Sequence, residues 1–285
     1  MVPRGVRGRR THGADAAGTF PVPRPERAAV SRALPVVLGP DPGSRFPDPE
    51  TALREPDGLL AVGGDLAPER LLRAYADGIF PWYAEGQPLL WWSPDPRTVF
   101  ATDAVHLSSR FRRQLRRSDW TVVADHAFDE VVLACATAPR GGQQGTWITD
   151  AMRAAYSRLH ALGHAHSIEV LDGEGRLAGG LYGVALGRMF FGESMFSATS
   201  GGSRLALAAL ARTLHGWGWP LLDAQVENPH LLRMGAQSWP RTRFLAEVRR
   251  LVALPGRPGP WGEAFGRIPA AALAPPRPDP HPGND

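Results

Sequence analysis

Residues 167–191 carry the stretch that decides the fold. Ser167-Ile168-Glu169-Val170-Leu171 is followed by Asp172-Gly173-Glu174-Gly175, then by the apolar run Leu177–Leu186, Gly187 and Met189-Phe190-Phe191. Two apolar runs flanking an Asp/Gly turn predict a β-hairpin, and Gly187 predicts a second turn into a third strand. Working outward, the Ala/Leu-rich run Gly202–Leu214 predicts a helix, Leu221–Val226 a strand, and Pro229–Met234 and Arg241–Leu251 further helices. Upstream, His106–Arg117 and Phe128–Ala136 read as helices. Thr149 stands where it can cap a helix from Asp150 to Leu162, closed by Gly163. Helix, strand, hairpin, strand, helix, strand, helix is an α+β order, with helices covering a central sheet.

Four segments follow from composition. Residues 1–44 hold seven Arg against three acids and have no apolar periodicity, so a disordered basic tail is expected, solvated or gripping nucleic acid. Residues 45–105, dense in Pro, Gly and Trp, are expected to form a small N-terminal domain with one helix after Pro68 and little other regular structure. The regular pattern of 106–254 marks a larger α+β domain. Residues 255–285 read as a Pro-rich C-terminal tail, in which Trp261 and Phe265 are possible anchors.

The net charge is +4, and the tail accounts for all of it. All 32 basic residues are Arg, and the chain after residue 44 is balanced. Lone Cys135 excludes an intrachain disulfide and a cysteine-based zinc site. No run approaches the ~18 apolar residues of a membrane span. The Arg-rich start leads into no apolar signal segment, so a cytoplasmic location is expected.

Five arrangements bear on chemistry. His106–Arg117 carries five Arg and no acid; Leu107, Phe111 and Leu115 form one stripe, and Arg110, Arg113 and Arg117 share a face. Such single-sign bias suits phosphate or RNA, or marks a solvated face. Glu193, within Phe190-Phe191-Gly192-Glu193-Ser194-Met195-Phe196, is either a carboxylate in use or a local cap. Asp223 and Gln225 alternate along one side of an apolar strand, as a site or as a solvent edge, with Leu222, Ala224 and Val226 on the core side. His160, His164 and His166 lack an accompanying carboxylate and read as surface or hydrogen-bonded histidines, not metal ligands. Gly201-Gly202-Ser203 opens the Ala/Leu helix, where free N–H groups and Arg204 favour an anion. Neither a P-loop nor a Gly-x-Ser-x-Gly elbow is present.

Taken together these segments resemble the leucyl/phenylalanyl-tRNA–protein transferase family. The matching stretches are Glu55–Leu66 (EPDGLLAVGGDL), Gly78-Ile79-Phe80-Pro81-Trp82, Leu90–Arg97 (LWWSPDPR) and Gly145-Thr146-Trp147-Ile148-Thr149. They continue with Gly163–Val170 (GHAHSIEV), Gly179–Ala185 (GGLYGVA) and Gly192–Ser197 (GESMFS). The resemblance spans about 46–250 and neither tail.

It implies a small N-terminal domain on an N-acetyltransferase-like (GNAT-like) domain, a layout the element order also fits. It further implies transfer of Leu or Phe, and less well Met, from aminoacyl-tRNA to the N-terminal α-amine of proteins that start with Arg or Lys. The product is a degradation signal of the N-end rule. No cofactor or metal is implied, no membrane partner, and a monomer is expected. The resemblance places Asp223, Gln225 and Glu193 at the catalytic site, and Trp82, Trp147, Leu181, Phe190 and Ser194 at the substrate pocket. Arg110, Arg113, Arg117 and Arg204 fall on the tRNA side. Three departures stand out: Ala224 where relatives often have Cys, Gly201-Gly202-Ser203-Arg204 where they commonly have Asp/Asn-Ala-Ser-Lys, and Leu181 where they have Met. An acetyl-CoA acyltransferase on the same fold would need a pyrophosphate-cradling Gln/Arg-x-x-Gly-x-Gly/Ala turn, which is missing. A tRNA-binding module without catalysis would not require Asp223, Gln225 and Glu193 together.

Overall fold

The hairpin turn at 172–175 is present: Asp172 Oδ1 accepts the N–H of Glu174 and of Arg176, at 3.0 and 2.9 Å. The computed structural model describes residues 34–41, 43–138 and 147–275, all within one unit, Leu34–Asp285. In chain order it comprises β1 (Val36–Leu38), β2 (Leu59–Gly63), α1 (Pro68–Ala76), β3 (Phe80–Pro81), β4 (Leu90–Trp92), β5 (Arg97–Ala101) and α2 (Ser109–Leu115). Next come β6 (Thr121–Ala124), α3 (Phe128–Thr137), α4 (Asp150–Ala161), β7 (Ala165–Leu171), β8 (Leu177–Leu186), β9 (Met189–Ser197) and α5 (Gly202–Gly216). The chain continues through β10 (Leu221–Gln225), α6 (Pro229–Arg233), β11 (Gln237–Trp239), α7 (Arg241–Val252), α8 (Gly262–Phe265) and β12 (Ile268–Pro269), to a 3-10 turn, Ala270–Leu273.

Two sheets organise these elements. The larger runs β11-β5-β10-β9-β8-β7-β6-β12, and β10–β9 is its one parallel pair among the described residues. Its two faces bury different clusters. Tyr75, Tyr156, Val99, Phe191 and Phe244 lie on one side; Phe100, Phe190, Leu207, Leu210 and Leu222 lie on the α5 side. The helix caps follow the sequence: Thr149 Oγ1 accepts the Met152 N–H at 3.2 Å, and Gly163 takes φ +78° after α4.

Several sequence expectations need correction. Residues 45–105 supply three strands of a four-stranded sheet, β1-β2-β4-β3, where little regular structure was expected; the fourth strand, β1, comes from the segment expected to be a tail. Its strands are two to five residues long, too short for a period to register. The core of this sheet is continuous with one face of the larger one, and β5, within the segment 45–105, belongs to the larger sheet. The expected tail 1–44 ends earlier. Residues 1–33 and Pro42 lie outside the described residues, but β1 pairs in parallel with β2. The buried Arg70 guanidinium holds the carbonyls of Gly39 and Asp41 just beyond it.

The helix expected over His106–Arg117 is shortened to α2 because Ser108 caps it, accepting the Phe111 N–H at 3.3 Å. The stripe of Leu107, Phe111 and Leu115 is nevertheless buried as predicted.

The C-terminal stretch is also structured as far as residue 275; residues 276–285 lie outside the described residues. Trp261 is fully buried. Its ring stacks on His166 at 3.8 Å, its N–H reaches Asp125 Oδ2 at 2.7 Å, and its indole N–H reaches Arg257 O at 2.9 Å. Replacing Trp261 by Ala should lower unfolding free energy by about 3–5 kcal/mol. Urea titration followed by near-UV circular dichroism checks this, and an unchanged midpoint would mean the segment is not anchored there.

Candidate active site

Strands β9 and β10 pair only from Met189/Leu221 to Phe191/Asp223 and then part. Each is bulged where they separate. On β9, Gly192 pairs with Gly183 and Ser194 with Tyr182, leaving Glu193 as the extra residue. On β10, Asp223 and Gln225 face consecutive residues of β5, leaving Ala224 as the extra residue. Bulges re-aim side chains, and these two turn Glu193 and Gln225 toward each other. Gln225 Nε2 donates to Glu193 Oε1 at 2.9 Å.

Glu193 is enclosed by donors. Tyr75 on α1 gives its hydroxyl to Oε1 and Tyr156 on α4 gives its hydroxyl to Oε2, each at 2.8 Å; the two phenols also meet at 2.5 Å. Burial raises the Glu193 pKa to about 7, although the tyrosine and Gln225 hydrogen bonds pull it down and the nearby Asp223 charge adds to the rise. Burial and the Glu193 charge push both phenols well above the ordinary tyrosine range, which keeps them as donors.

Asp223 is held separately. Arg97 Nε and Nη2 reach its two carboxylate oxygens at 2.9 and 2.7 Å, and the Gln225 N–H donates to Oδ1 at 2.9 Å. Gln225 adopts φ +61°, so β10 ends there. Val226, expected on the core side, is instead exposed, while Leu222 is buried and Ala224 half-buried.

A pocket of about 100 Å³ opens at the parting of the strands. Leu181, Phe190, Leu222, Leu207 and Leu210 supply apolar wall, and Glu193, Ser194 and Asp223 line it too. Leu181, Phe190 and Ser194 were expected here. Trp82 and Trp147 are not among its lining residues: the Trp82 ring is tied to Trp92, 5.8 Å away, and Trp147 packs against the core face shared with Tyr156. Gly145 and Thr146 of the Trp147 motif lie outside the described residues.

The basic helix divides its arginines. Arg110, Arg113 and Arg117 are exposed. Arg112 and Arg116, joined by Arg212 of α5, donate to the carbonyls of Pro275, Ala274 and Ala272 at the C-terminal turn. Arg204, in the first turn of α5, lays its guanidinium over Phe111 at 4.2 Å. Burial, together with the charges of Arg204 and Arg233, lowers the pKa of nearby His230. The histidines read as non-ligands have local partners: His166 Nδ1 lies 2.9 Å from Asp125, and His160 Nδ1 lies 2.8 Å from Ala165 O.

Sequence reasoning missed Tyr75, Tyr156 and Arg97. The tyrosines were indistinguishable from core residues of their helices, and only their hydroxyl tips are at the site. Arg97 ends the stretch LWWSPDPR, and an arginine two residues before the apolar pair Val99-Phe100 was the available signal.

Residues 99–249 match the family model described as leucyl/phenylalanyl-tRNA protein transferase, and residues 64–95 match the N-terminal domain model of the same family. A leucyl/phenylalanyl-tRNA–protein transferase of Xanthomonas campestris pv. campestris (strain B100) is 66% identical over 245 residues, covering 86% of this chain and 98% of that protein. One from Xylella fastidiosa (strain 9a5c) is 62% identical over 232 residues, covering 81% and 95%. Among solved structures, L-PGS from Bacillus licheniformis matches with a TM-score of 0.34 and 10% identity, over 60% of this chain and 54% of that one; this likeness is too slight to bear on the fold. The family matches define the class, a transferase that moves an aminoacyl group from tRNA to protein. The chain belongs to the leucyl/phenylalanyl-tRNA–protein transferase family.

The raised Glu193 pKa has a definite consequence for stability. The folded protein keeps that proton up to about pH 7, whereas the unfolded chain releases it near its ordinary value of 4.5. The group's contribution is therefore greatest below 4.5 and is lost as pH rises through 7. Unfolding free energies of the parent minus Glu193→Gln should fall by on the order of 3 kcal/mol between pH 4.5 and 7.5, then level off. A difference independent of pH would show that Glu193 is not a perturbed carboxyl.

Proposed function

We propose that the chain transfers Leu or Phe, and less readily Met, from aminoacyl-tRNA to the N-terminal α-amine of proteins beginning with Arg or Lys, marking them for degradation. The reading extends to a monomer acting in the cytoplasm, with no cofactor. It also takes the larger sheet with α5 as a GNAT-like catalytic domain, and the small sheet as an N-terminal domain packed on it. No helix among the described residues is long and apolar enough to cross a membrane. The observation that carries the reading is the apolar pocket at the parting of β9 and β10, with Glu193, Asp223 and Gln225 gathered beside it.

The chemistry is undemanding once the reactants are placed. The neutral α-amine attacks the ester carbonyl, and the C–N bond forms as the C–O bond to the terminal ribose breaks. The nitrogen gives up one proton and the ribose oxygen takes one up. Because the ester is already activated, positioning and oxyanion support dominate the barrier. The Gln225 NH2 gives one hydrogen to Glu193, and its carbonyl oxygen is the end that can accept from the amine. An amide is a poor base, so Gln225 orients the amine without keeping its proton. Leu181 and Phe190 give the donor side chain an apolar wall, which separates Leu, Phe and Met from polar residues but distinguishes them from one another by only ~1–3 kcal/mol per methylene. Arg110, Arg113, Arg117 and Arg204 present cations to the acceptor stem and 3′ end.

Purified protein given radiolabelled Phe-tRNA and an Arg-initiated acceptor should label the acceptor, while acetyl-CoA in a parallel reaction should not acetylate it. Absence of transfer from tRNA would overturn the proposal. Asp223→Ala should lower the transfer rate and spare tRNA binding. By contrast, Arg113→Ala with Arg117→Ala should weaken binding and reduce its logarithmic salt slope by roughly 2. Unchanged binding in the double variant would remove α2 from the tRNA face.

A further inference from the structure

Gln225 is one of two non-glycine residues at positive φ among the described residues, so something must hold it there. The immediate restraint is its own N–H, which donates to Asp223 Oδ1. Asp223 is completely buried and is in turn gripped at both oxygens by the Arg97 fork. Arg97 has no freedom to give: its third nitrogen, Nη1, donates to Gly78 O at 3.0 Å, and its guanidinium lies between the rings of Phe80 and Phe244, 4.7 and 4.5 Å from their centroids. Gly78 turns the chain at φ +71°, where a Cβ would come within 2.6 Å of Leu245, so the backbone that carries this carbonyl lies directly against α7. The restraint therefore passes from the small sheet and α7 through Arg97 and Asp223 to the Gln225 backbone, and from there to the amide facing Glu193. Arg97 is completely buried behind Asp223, away from the pocket wall, so it bears on the reaction only through other residues.

We infer that Arg97 is a positioning residue for aminoacyl transfer, acting through Asp223 to hold Gln225 in its left-handed conformation, and that Asp223 is not the proton acceptor. The second half follows from charge. Protonating Asp223 would leave the Arg97 guanidinium buried and uncompensated, a far greater penalty than delivering the proton to water or to the departing ribose oxygen. The Asp223 oxygens are moreover already occupied by three donors.

This inference rests on the proposed transfer activity, so the unmodified protein is assayed first; failure there overturns that activity, not the role of Arg97. In an active background, Arg97→Lys keeps the charge but lacks the bidentate fork. Its kcat, normalised to titrated active sites, should fall by roughly ten- to a hundred-fold, with KM for Phe-tRNA within about two-fold of the parent. A purely structural Arg97 would lower the amount of active protein and leave the normalised kcat alone, and that result would overturn the inference. The pair Arg97→Gln with Asp223→Asn removes both charges together and so avoids stranding either one if Arg97→Lys does not fold. In this pair the kcat should fall while the pH dependence of kcat between 6 and 9 keeps the parent's inflection. Loss of that inflection would identify Asp223 as the titrating base and overturn the proposal.

Discussion

A guanidinium cut off from water needs every compensation its surroundings can offer, and Arg97 draws them from three directions. A carboxylate meets its fork, a backbone carbonyl takes its remaining nitrogen, and aromatic faces lie against its plane. Since leaving such a charge unmatched costs several kcal/mol, the contributors cannot drift independently. The turn after α1 supplies Gly78, the small sheet Phe80, α7 Phe244, and β10 Asp223. Their shared dependence on one cation makes the two sheets and α7 a single support for the bulge at Ala224. Arg241 adds a second tie, its guanidinium donating to Ser93 O at 2.7 Å and its own backbone N–H to Asp95 Oδ1 at 3.0 Å. Apart from Asp223, the groups in this arrangement lie outside the pocket wall.

Charge is organised differently on the two sides of the molecule. Around the pocket, Glu193 and Asp223 are sequestered, one by neutral donors and one by a cation. On α2, arginines that look equivalent along the sequence have different partners. Arg110, Arg113 and Arg117 lie exposed, while the half-buried Arg112 and the exposed Arg116 turn to the carbonyl end of the C-terminal turn, where a cation is favoured. Net charge carried none of this, because a neutral body can still separate its signs by face.

The parts of the fold that were legible share one property, a repeating local pattern long enough to beat chance. The Asp172–Gly175 hairpin, the Thr149 cap and the Ala/Leu periodicity of α5 are all local signals. The small sheet was illegible because its strands are shorter than a period and take their pairing from distant chain: β1 meets β2 and β2 meets β4. The C-terminal segment was illegible for a related reason, since Trp261 is fixed by Asp125 and His166, far upstream. At the site, Asp223, Gln225 and Glu193 were readable as polar residues in apolar strands. Tyr75 and Tyr156 were not, because their polarity is a single atom at the end of a side chain the core would accept anyway. The bulges were invisible as well, since pairing register belongs to two strands at once.

The order of the large sheet has an implication for how the protein behaves in a crowded solution. Its long inner strands, β7 to β9, offer many backbone groups, yet the outermost strands are only three residues at β11 and two at β12. One of the two residues of β12 is Pro269, which has no N–H to give, and Pro240 directly follows β11. An incoming strand from another molecule therefore finds almost no ladder to extend at either end. The C-terminal segment, besides burying Trp261, serves as a selvedge: it finishes the weave at β6, whose Thr121–Ala124 edge would otherwise be open to aggregation.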